Sequence, residues 1–148
     1  MAKNNSSPGG ELSYYNLSLL SYLSDSHPDK TGDKAFITKR ADLAAEVYSE
    51  AIQSGLTHIE AEELANAELY RDLHFSAYNT LVNILWDEFP VEIPEDTARK
   101  VALQVLPLCG NVLAKYTLID DFADTPAYDL LYTELVGTIQ ILLEDGTV

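Results

Sequence analysis

The residues best suited to chemistry in this sequence are three histidines, at positions 27, 58 and 74. His58 precedes Glu62 by one helical turn, a spacing that puts two side chains on one face and suits a pair of metal ligands. A zinc site needs three or four converging ligands, and no His-Glu-x-x-His motif or paired cysteines supply the rest. We therefore interpret the pair as an ordinary helix surface and predict neither a metal nor a cofactor.

His74 stands between Leu73 and Phe75, three residues after Arg71 and four before Tyr78. A histidine with apolar neighbours is most simply a packed, hydrogen-bonded side chain at a helix junction. If these basic, titratable and phenolic groups converge, they can bind a small ligand or take part in acid–base chemistry. Arg71, His74 and Tyr78 are therefore the candidate pocket in this sequence.

Two aspartate-rich segments, residues 25–33 and 120–129, have the composition of calcium loops but not the spacing. An EF-hand loop needs Gly at its sixth position and Glu at its twelfth. Counted from Asp29, these positions hold Lys34 and Arg40, and the second segment fails in the same way. Both segments are predicted to be solvated turns, where aspartate favours the backbone geometry.

Cys109 is the only cysteine, so an internal disulfide is excluded. No catalytic-cysteine motif surrounds it, and a lone thiol in an apolar stretch suits a reducing compartment. The first eleven residues lack the apolar segment of a signal peptide, and no run of about 20 apolar residues is present to span a bilayer. Motifs for hydrolases and nucleotide binding are also missing. We expect a soluble, cytoplasmic protein.

The net charge of −15 is distributed unevenly along the chain. Residues 1–40 hold five basic and four acidic side chains, residues 41–100 three and thirteen, and residues 101–148 one and seven. Such a surface repels nucleic acid and anionic membranes, so direct binding to either is not expected. A basic protein partner is compatible with it.

The densest acidic pattern is a row of three residues at intervals of four, Asp42, Glu46 and Glu50. Like charges at this spacing destabilise an isolated helix by a few tenths of a kcal/mol per pair. With the acidic residues of the next helix, the row is a candidate face for mimicking nucleic acid or docking a basic protein. The alternative is an ordinary solvated face. The acidic residues of the next helix are Glu60, Glu62, Glu63 and Glu68.

Apolar residues recur every three or four positions along most of the chain, which predicts an all-α fold, an irregular multi-helix bundle of six to seven helices. Residues 1–11 are predicted to be a disordered tail and residues 12–148 a single helical domain. The predicted helices cover residues 12–23, 33–53, a segment starting at Thr57 with a break near residues 73–75, a segment from Pro94 to Pro107, residues 108–119, and a last helix from Thr125 and Pro126 to Gly146.

The predicted helix ends carry specific capping signals. Gly55 is the left-handed residue expected after a helix, and Thr57 with Glu60 has the spacing of a capping box. Ser76, with Asn79 three residues later, is predicted to cap a new helix after the break. These signals place Asp42, Glu46 and Glu50 on one helix and the candidate pocket at the break.

The segments LHFSAYNTL at residues 73–81 and ILWDEF at residues 84–89 resemble a family of small acidic proteins of unknown function from Bacteroidetes. The similarity extends through EIP at residues 92–94 and through residues 103–108, and covers the chain from about Glu11. The resemblance implies an all-helical cytoplasmic protein, often associated with mobile or conjugative elements. It implies no activity and therefore no functional residues.

Three functional hypotheses remain open at this point. The first is a non-enzymatic interaction or regulatory protein whose acidic helical surface binds a protein partner, including one that itself handles DNA. The second is an enzyme or small-ligand binder that uses the pocket near His74. The third is a structural subunit of a larger assembly, and the sequence does not specify an oligomeric state.

Overall fold

A computed structural model describes the backbone from residue 6 onwards and the side chains from residue 14 onwards. Within these residues the chain forms α-helices and short 3-10 turns and contains no strand, which confirms the all-α prediction. Six helices have eight residues or more, and α6 is a single turn. The helices are α1 (Ser6–Ser26), α2 (Lys34–Gln53), α3 (His58–Leu69), α4 (Ala77–Glu88), α5 (Ala98–Val105), α6 (Gly110–Leu113) and α7 (Ala127–Glu144).

The chain divides into two compact units, Met1–Arg71 and Asp72–Val148. The first contains α1 to α3 and the second α4 to α7. The predicted tail covers residues 1–11. Residues 1–5 of it lie outside the described residues, and α1 begins at Ser6. Both the tail and the single domain at residues 12–148 stay predictions.

Small side chains form much of the core of the first unit. α2 and α3 bury alanines at the positions that face inward, which lets the two helix backbones approach closely. α1 contributes larger side chains at one-turn spacing, as expected for one apolar stripe of a helix. The buried apolar residues of these helices are Tyr15, Leu19 and Leu23 of α1, Ile37, Ala41, Ala44 and Ala51 of α2, and Ala61, Ala65 and Leu69 of α3.

The turn between α2 and α3 is fixed by two capping motifs in succession. Gly55 has a φ of 94°, and the N–H of Leu56 donates to the carbonyl of Ala51 at 3.1 Å, which closes α2 with a Schellman motif. Thr57 then begins α3, because its hydroxyl accepts from the N–H of Glu60 at 3.1 Å and its own N–H donates to the Glu60 carboxylate at 2.9 Å. The predicted capping box is confirmed.

Replacing Thr57 with alanine is expected to lower the free energy of unfolding by about 1 kcal/mol, because the N–H of residue 60 loses its acceptor at the start of α3. Thermal unfolding followed by circular dichroism measures the effect. Thr57→Ser, which keeps the hydroxyl, is the control and should unfold close to the wild type. If alanine and serine behave alike, the hydroxyl does not hold this helix end.

The predicted break after α3 is confirmed. α3 ends at Leu69, Asp72 adopts a left-handed φ of 67°, and α4 starts again at Ala77. Ser76 caps α4, since its hydroxyl accepts from the N–H of Asn79 at 2.9 Å. A left-handed residue cannot continue a right-handed helix, so no single helix runs through Asp72, although neither glycine nor proline is present here.

Larger aliphatic side chains form the core of the second unit, drawn mainly from α4, α5 and α7. The rings of Phe75 and Phe122 pack edge to face with centroids 5.0 Å apart, which joins the turn before α4 to the turn before α7. The side chains of α4, α5 and α7 that have no exposed surface are Leu81, Ile84 and Leu85 of α4, Ala98, Ala102 and Val105 of α5, and Leu131, Leu135 and Ile139 of α7.

Three predictions about the helices of this unit are wrong: the start of α5, the length of α6 and the capping residue of α7. Pro94 precedes a 3-10 turn, and the α-helix starts only at Ala98. The helix predicted over residues 108–119 is the single turn α6, because Lys115 and Tyr116 leave the helix to bond Glu134 of α7. Thr125 does not cap α7, since its hydroxyl donates to the carbonyl of Phe122 at 2.7 Å.

Candidate functional site

α2 presents three carboxylates to solvent along one line. Asp42, Glu46 and Glu50 are all exposed, and none of them forms an ion pair with a described residue. We call these three residues the acidic stripe. Their common face follows from the four-residue spacing, and their role as an interaction face stays a prediction.

The outer face of α3 combines acidic and apolar side chains. Ile59, Glu60, Glu63 and Leu64 are exposed there, and α3 contains no lysine or arginine. We call these four residues the α3 outer face. Exposed isoleucine and leucine provide apolar contact area, and the neighbouring carboxylates can form a polar rim around it, which is the general layout of protein interfaces.

The four glutamates of α3 are not equivalent. The hydrogen bond from the backbone N–H of Thr57 lowers the pKa of Glu60 below its usual value, because it stabilises the ionised carboxylate. Glu62 is half-buried, and its Oε1 has no hydrogen-bond partner among the described residues. Glu68 is also half-buried and pairs with Arg71 at 3.0 Å. Of the four, only Glu60 and Glu63 are therefore exposed.

Arg40 of α2 binds the C-terminal end of α3. No sequence signal indicated this role. Its side chain is buried, and Nη1 donates to the carbonyls of Glu68 and Leu69, each at 3.3 Å, and of Arg71 at 2.7 Å. The guanidinium also lies over the ring of Phe36 at 4.9 Å from the centroid. A cation at a helix C-terminus complements the helix dipole and satisfies carbonyls that have no partner within the helix.

His58 contacts a tyrosine of the neighbouring helix. Its Nδ1 is hydrogen-bonded to the hydroxyl of Tyr48, and the two rings pack edge to face with centroids 5.5 Å apart. The bond lies next to the turn between α2 and α3, and so it joins the last part of α2 to the first turn of α3. The structure therefore gives His58 a packing role between two helices.

The residues of the predicted pocket have different surroundings. Arg71 is exposed and belongs to the first unit, whereas His74 and Tyr78 belong to the second. His74 is exposed with Nδ1 3.5 Å from Asp120 Oδ2, while Tyr78 is buried and its hydroxyl donates to the carbonyl of Arg99 at 3.4 Å. The pocket stays a prediction, with His74 on the surface and Tyr78 in the core.

Asp120 anchors the backbone around His74. Oδ2 accepts from the N–H of Asp72 and Oδ1 from the N–H of His74, both at 3.0 Å. One carboxylate thus satisfies two N–H groups at the start of a loop that contains a left-handed residue. The sequence predicted Asp120 to be a turn residue, and the structure adds that it orders a loop 46 to 48 residues away.

Glu134 is the centre of a small polar cluster in the second unit. It accepts hydrogen bonds from the ammonium of Lys115 and the hydroxyl of Tyr116. Both hydrogen bonds lower the pKa of Glu134 below its usual value, and the bond from Lys115 has the larger effect. The bond to Glu134 in turn raises the pKa of Tyr116, so the phenol stays protonated.

Replacing Glu134 with glutamine is expected to weaken the dependence of stability on acidic pH. A glutamate whose pKa is lower in the folded state stabilises the fold above its unfolded pKa, and the contribution disappears as the pH falls through the folded pKa. The variant should therefore melt below the wild type at pH 7, with the difference shrinking towards about pH 3. Thermal melts across this range, with the exposed Glu92→Gln as control, measure it. A difference that is independent of pH would contradict the assignment.

Cys109 is fully buried among apolar residues. Burial raises the pKa of its thiol to about 11, and so the thiol is protonated at neutral pH. Because the thiolate is the nucleophilic form, this cysteine is a weak nucleophile.

Two features are absent from the described residues. No three His, Cys, Asp or Glu side chains lie together in an arrangement that holds a metal ion. No helix among these residues combines the length and apolar character that crossing a bilayer requires.

Comparison with known proteins assigns the chain to a family. The sequence profile of the family described as "Domain of unknown function (DUF1896)" matches residues 7–148. The chain belongs to this family. A crystal structure of protein PG0816 from Porphyromonas gingivalis is similar to this DUF1896 chain, with 42% sequence identity, coverage of 96% of this chain and 97% of that chain, and a TM-score of 0.89. No curated protein matches the chain.

The family prediction made from residues 73–89 is confirmed as a domain of unknown function, and Porphyromonas gingivalis fits the expected Bacteroidetes source. The DUF1896 match brings no activity and no functional residues with it. The candidate surfaces of this DUF1896 chain therefore rest on its own side chains.

Proposed function

We propose that the chain is a non-enzymatic interaction protein that binds a basic surface of a partner protein through the acidic stripe of α2 and the α3 outer face. The observation that carries the proposal is the acidic stripe itself. Its three carboxylates are exposed and without an ion pair among the described residues. A partner's lysines or arginines would relieve their mutual repulsion.

The order of charges along α2 strengthens the proposal. Lys34, Lys39 and Arg40 lie in its first half, whereas Glu46 and Glu50 lie in its second half. A helix is stabilised by acidic residues near its N-terminus and basic residues near its C-terminus, so α2 has the less stable order. Helix stability does not account for this arrangement, whereas electrostatic recognition of a basic partner does.

The α3 outer face supplies apolar contact area. Ile59 and Leu64 are exposed large side chains next to Glu60 and Glu63. Charges at a rim mainly steer association and give specificity, whereas buried apolar groups supply most of the affinity. A partner segment with lysines or arginines and a few apolar side chains fits this composition.

The proposed setting is the cytoplasm, where the buried, protonated Cys109 stays reduced. Proteins that handle DNA carry basic surfaces, and they are one class of partner with the required charge. The proposal does not include contact between this chain and DNA itself, because the acidic stripe repels phosphates.

The test combines charge reversal with a matched control. The stripe variant carries Asp42→Lys, Glu46→Lys and Glu50→Lys. The control carries the same change of charge at three exposed positions of the second unit, Glu92→Lys, Asp121→Lys and Asp145→Lys. Both variants shift the net charge equally, so they separate the effect of position from that of overall charge.

Immobilised wild-type protein and both variants are incubated with extract of the native host at low salt, and bound proteins are identified by mass spectrometry. We expect a partner that the control retains, that the stripe variant loses, and that salt releases. If the wild type retains no partner and stripe reversal has no cellular effect, the proposal is wrong. Equal loss in both variants would also contradict it, since position would then not matter.

A further inference from the structure

α1 is apolar on two sides. One side buries Tyr15, Leu19 and Leu23 in the core of the first unit. The other side exposes Tyr14, Leu17 and Leu20, with 56%, 66% and 38% of their surface in contact with solvent. A surface helix normally places polar or charged residues opposite its core face. We call Tyr14, Leu17 and Leu20 the α1 stripe.

The α1 stripe lies in an uncharged part of a strongly acidic chain. Residues 12–24 contain no Asp, Glu, Lys or Arg, although the net charge is −15. The polar neighbours of the stripe are serines, and the hydroxyl of Ser24 donates to the carbonyl of Leu20 at 2.9 Å. This serine satisfies its donor within the helix, and so it does not need a charged or polar partner.

We propose that the α1 stripe is a self-association surface, on which α1 of a second copy of this chain packs about a twofold axis. Two copies repel each other over their acidic surfaces, so contact between them is favoured where charge is missing. A twofold contact places identical patches together and needs only that the patch match itself. An uncharged row of tyrosine, leucines and serines meets that condition.

Other occupants fit the stripe less well. A basic partner finds no carboxylate in residues 12–24, whereas α2 and α3 offer several. An anionic membrane is repelled by the acidic chain. Residues 101–114 are also uncharged and expose Leu103 and Leu108, but α5 ends at Val105 and a 3-10 turn with Pro107 follows. That segment has no continuous helix face, whereas α1 runs unbroken for 21 residues.

The contact is expected to be weak. The stripe extends over about 10 Å of helix, and a stable interface buries more than about 1,000 Å² in total. Added salt should strengthen it, because screening reduces the repulsion between the two acidic copies. Binding of a basic partner to the acidic stripe should weaken with salt. The two surfaces therefore respond to salt in opposite directions, and either proposal can fail without the other.

Sedimentation velocity on the full chain tests the proposal, from about 10 to 500 µM protein and at about 0.05 and 0.5 M NaCl. We expect a reversible dimer whose dissociation constant falls at least about threefold in high salt. Leu17→Glu should raise that constant by about tenfold or more. The control is Leu130→Glu on α7, since Leu130 is 63% exposed and thus matches Leu17. A monomeric wild type at the highest concentration, or equal effects of both variants, overturns the proposal.

Disulfide capture provides a second measurement that does not depend on Leu17. Ser21 is exposed beside the stripe, so Ser21→Cys should form a disulfide-linked dimer under mild oxidation. Ser49→Cys, at an exposed position of α2, should not. The native Cys109 is buried and does not compete. Cross-linking at equal rates in both variants contradicts the proposal. Leu17-dependent binding of a monomeric chain to phosphatidylcholine vesicles also overturns it, because the stripe would then contact lipid.

Discussion

Replacement of Arg40 by methionine is expected to lower the free energy of unfolding by about 3 kcal/mol. The side chain is buried, and Nη1 donates to the carbonyls of Glu68, Leu69 and Arg71 at the end of α3. Methionine fills part of the volume but provides no donor, so these carbonyls lose hydrogen bonds in a partly buried position. The helix end also loses the cation that complements its dipole.

Two further variants make the Arg40 prediction specific. Arg40→Lys should be intermediate, since lysine keeps the charge but lacks the planar fork of the guanidinium. Lys39→Met removes an exposed charge from the adjacent position and should be close to the wild type. Urea unfolding is followed by circular dichroism for the whole chain and by fluorescence of Trp86, the single tryptophan, for the second unit. Equal midpoints for Arg40→Met and Lys39→Met would refute the role of Arg40.

Replacement of Asp120 by alanine is expected to lower the free energy of unfolding by about 2 kcal/mol. The carboxylate accepts from the N–H groups of Asp72 and His74 at 3.0 Å each, and alanine leaves both without this acceptor. Because Asp72 is left-handed, the loop also carries a backbone conformation that most residues avoid. Loss of the anchor should therefore increase the hydrogen exchange of the N–H groups of residues 72 and 74.

The controls separate the backbone bonds from the ion pair of Asp120. His74→Ala keeps both backbone bonds and removes only the exposed contact to the imidazole at 3.5 Å, so it should cost less than about 1 kcal/mol. Asp121→Ala removes a neighbouring exposed carboxylate and should have a small effect. The anchor role is rejected if His74→Ala destabilises as much as Asp120→Ala.

Local signals were sufficient to predict most helix ends. The capping residues Thr57 and Ser76 bond N–H groups three residues away, and the left-handed Gly55 and Gly146 each follow a helix as expected. These interactions connect residues that are close in sequence, so residue type and spacing carry the information. The same reasoning located the row of carboxylates on α2, because a helix converts four-residue spacing into a common face.

The contacts of Arg40 and Asp120 could not be predicted in the same way. Arg40 bonds carbonyls up to 31 residues away, and Asp120 bonds N–H groups up to 48 residues away. Backbone N–H and carbonyl groups are the same for nearly all residue types. The residue types therefore do not indicate which of these groups Arg40 and Asp120 will bond. The helix predicted over residues 108–119 failed for a related reason. Contacts of Lys115 and Tyr116 with Glu134 override the local helical preference.

The two successive caps between α2 and α3 also constrain how this chain can change over evolution. The Schellman motif ends with Leu56, and the capping box begins at Thr57, so no spare residue separates them. An insertion or deletion of one residue within either motif would break that motif, and a residue inserted in the first turn of α3 would rotate the later positions of that helix by about 100°. That rotation would turn the alanines Ala61 and Ala65 away from α2. Alignments of homologous chains should therefore be free of gaps within residues 51–56 and within residues 57–65.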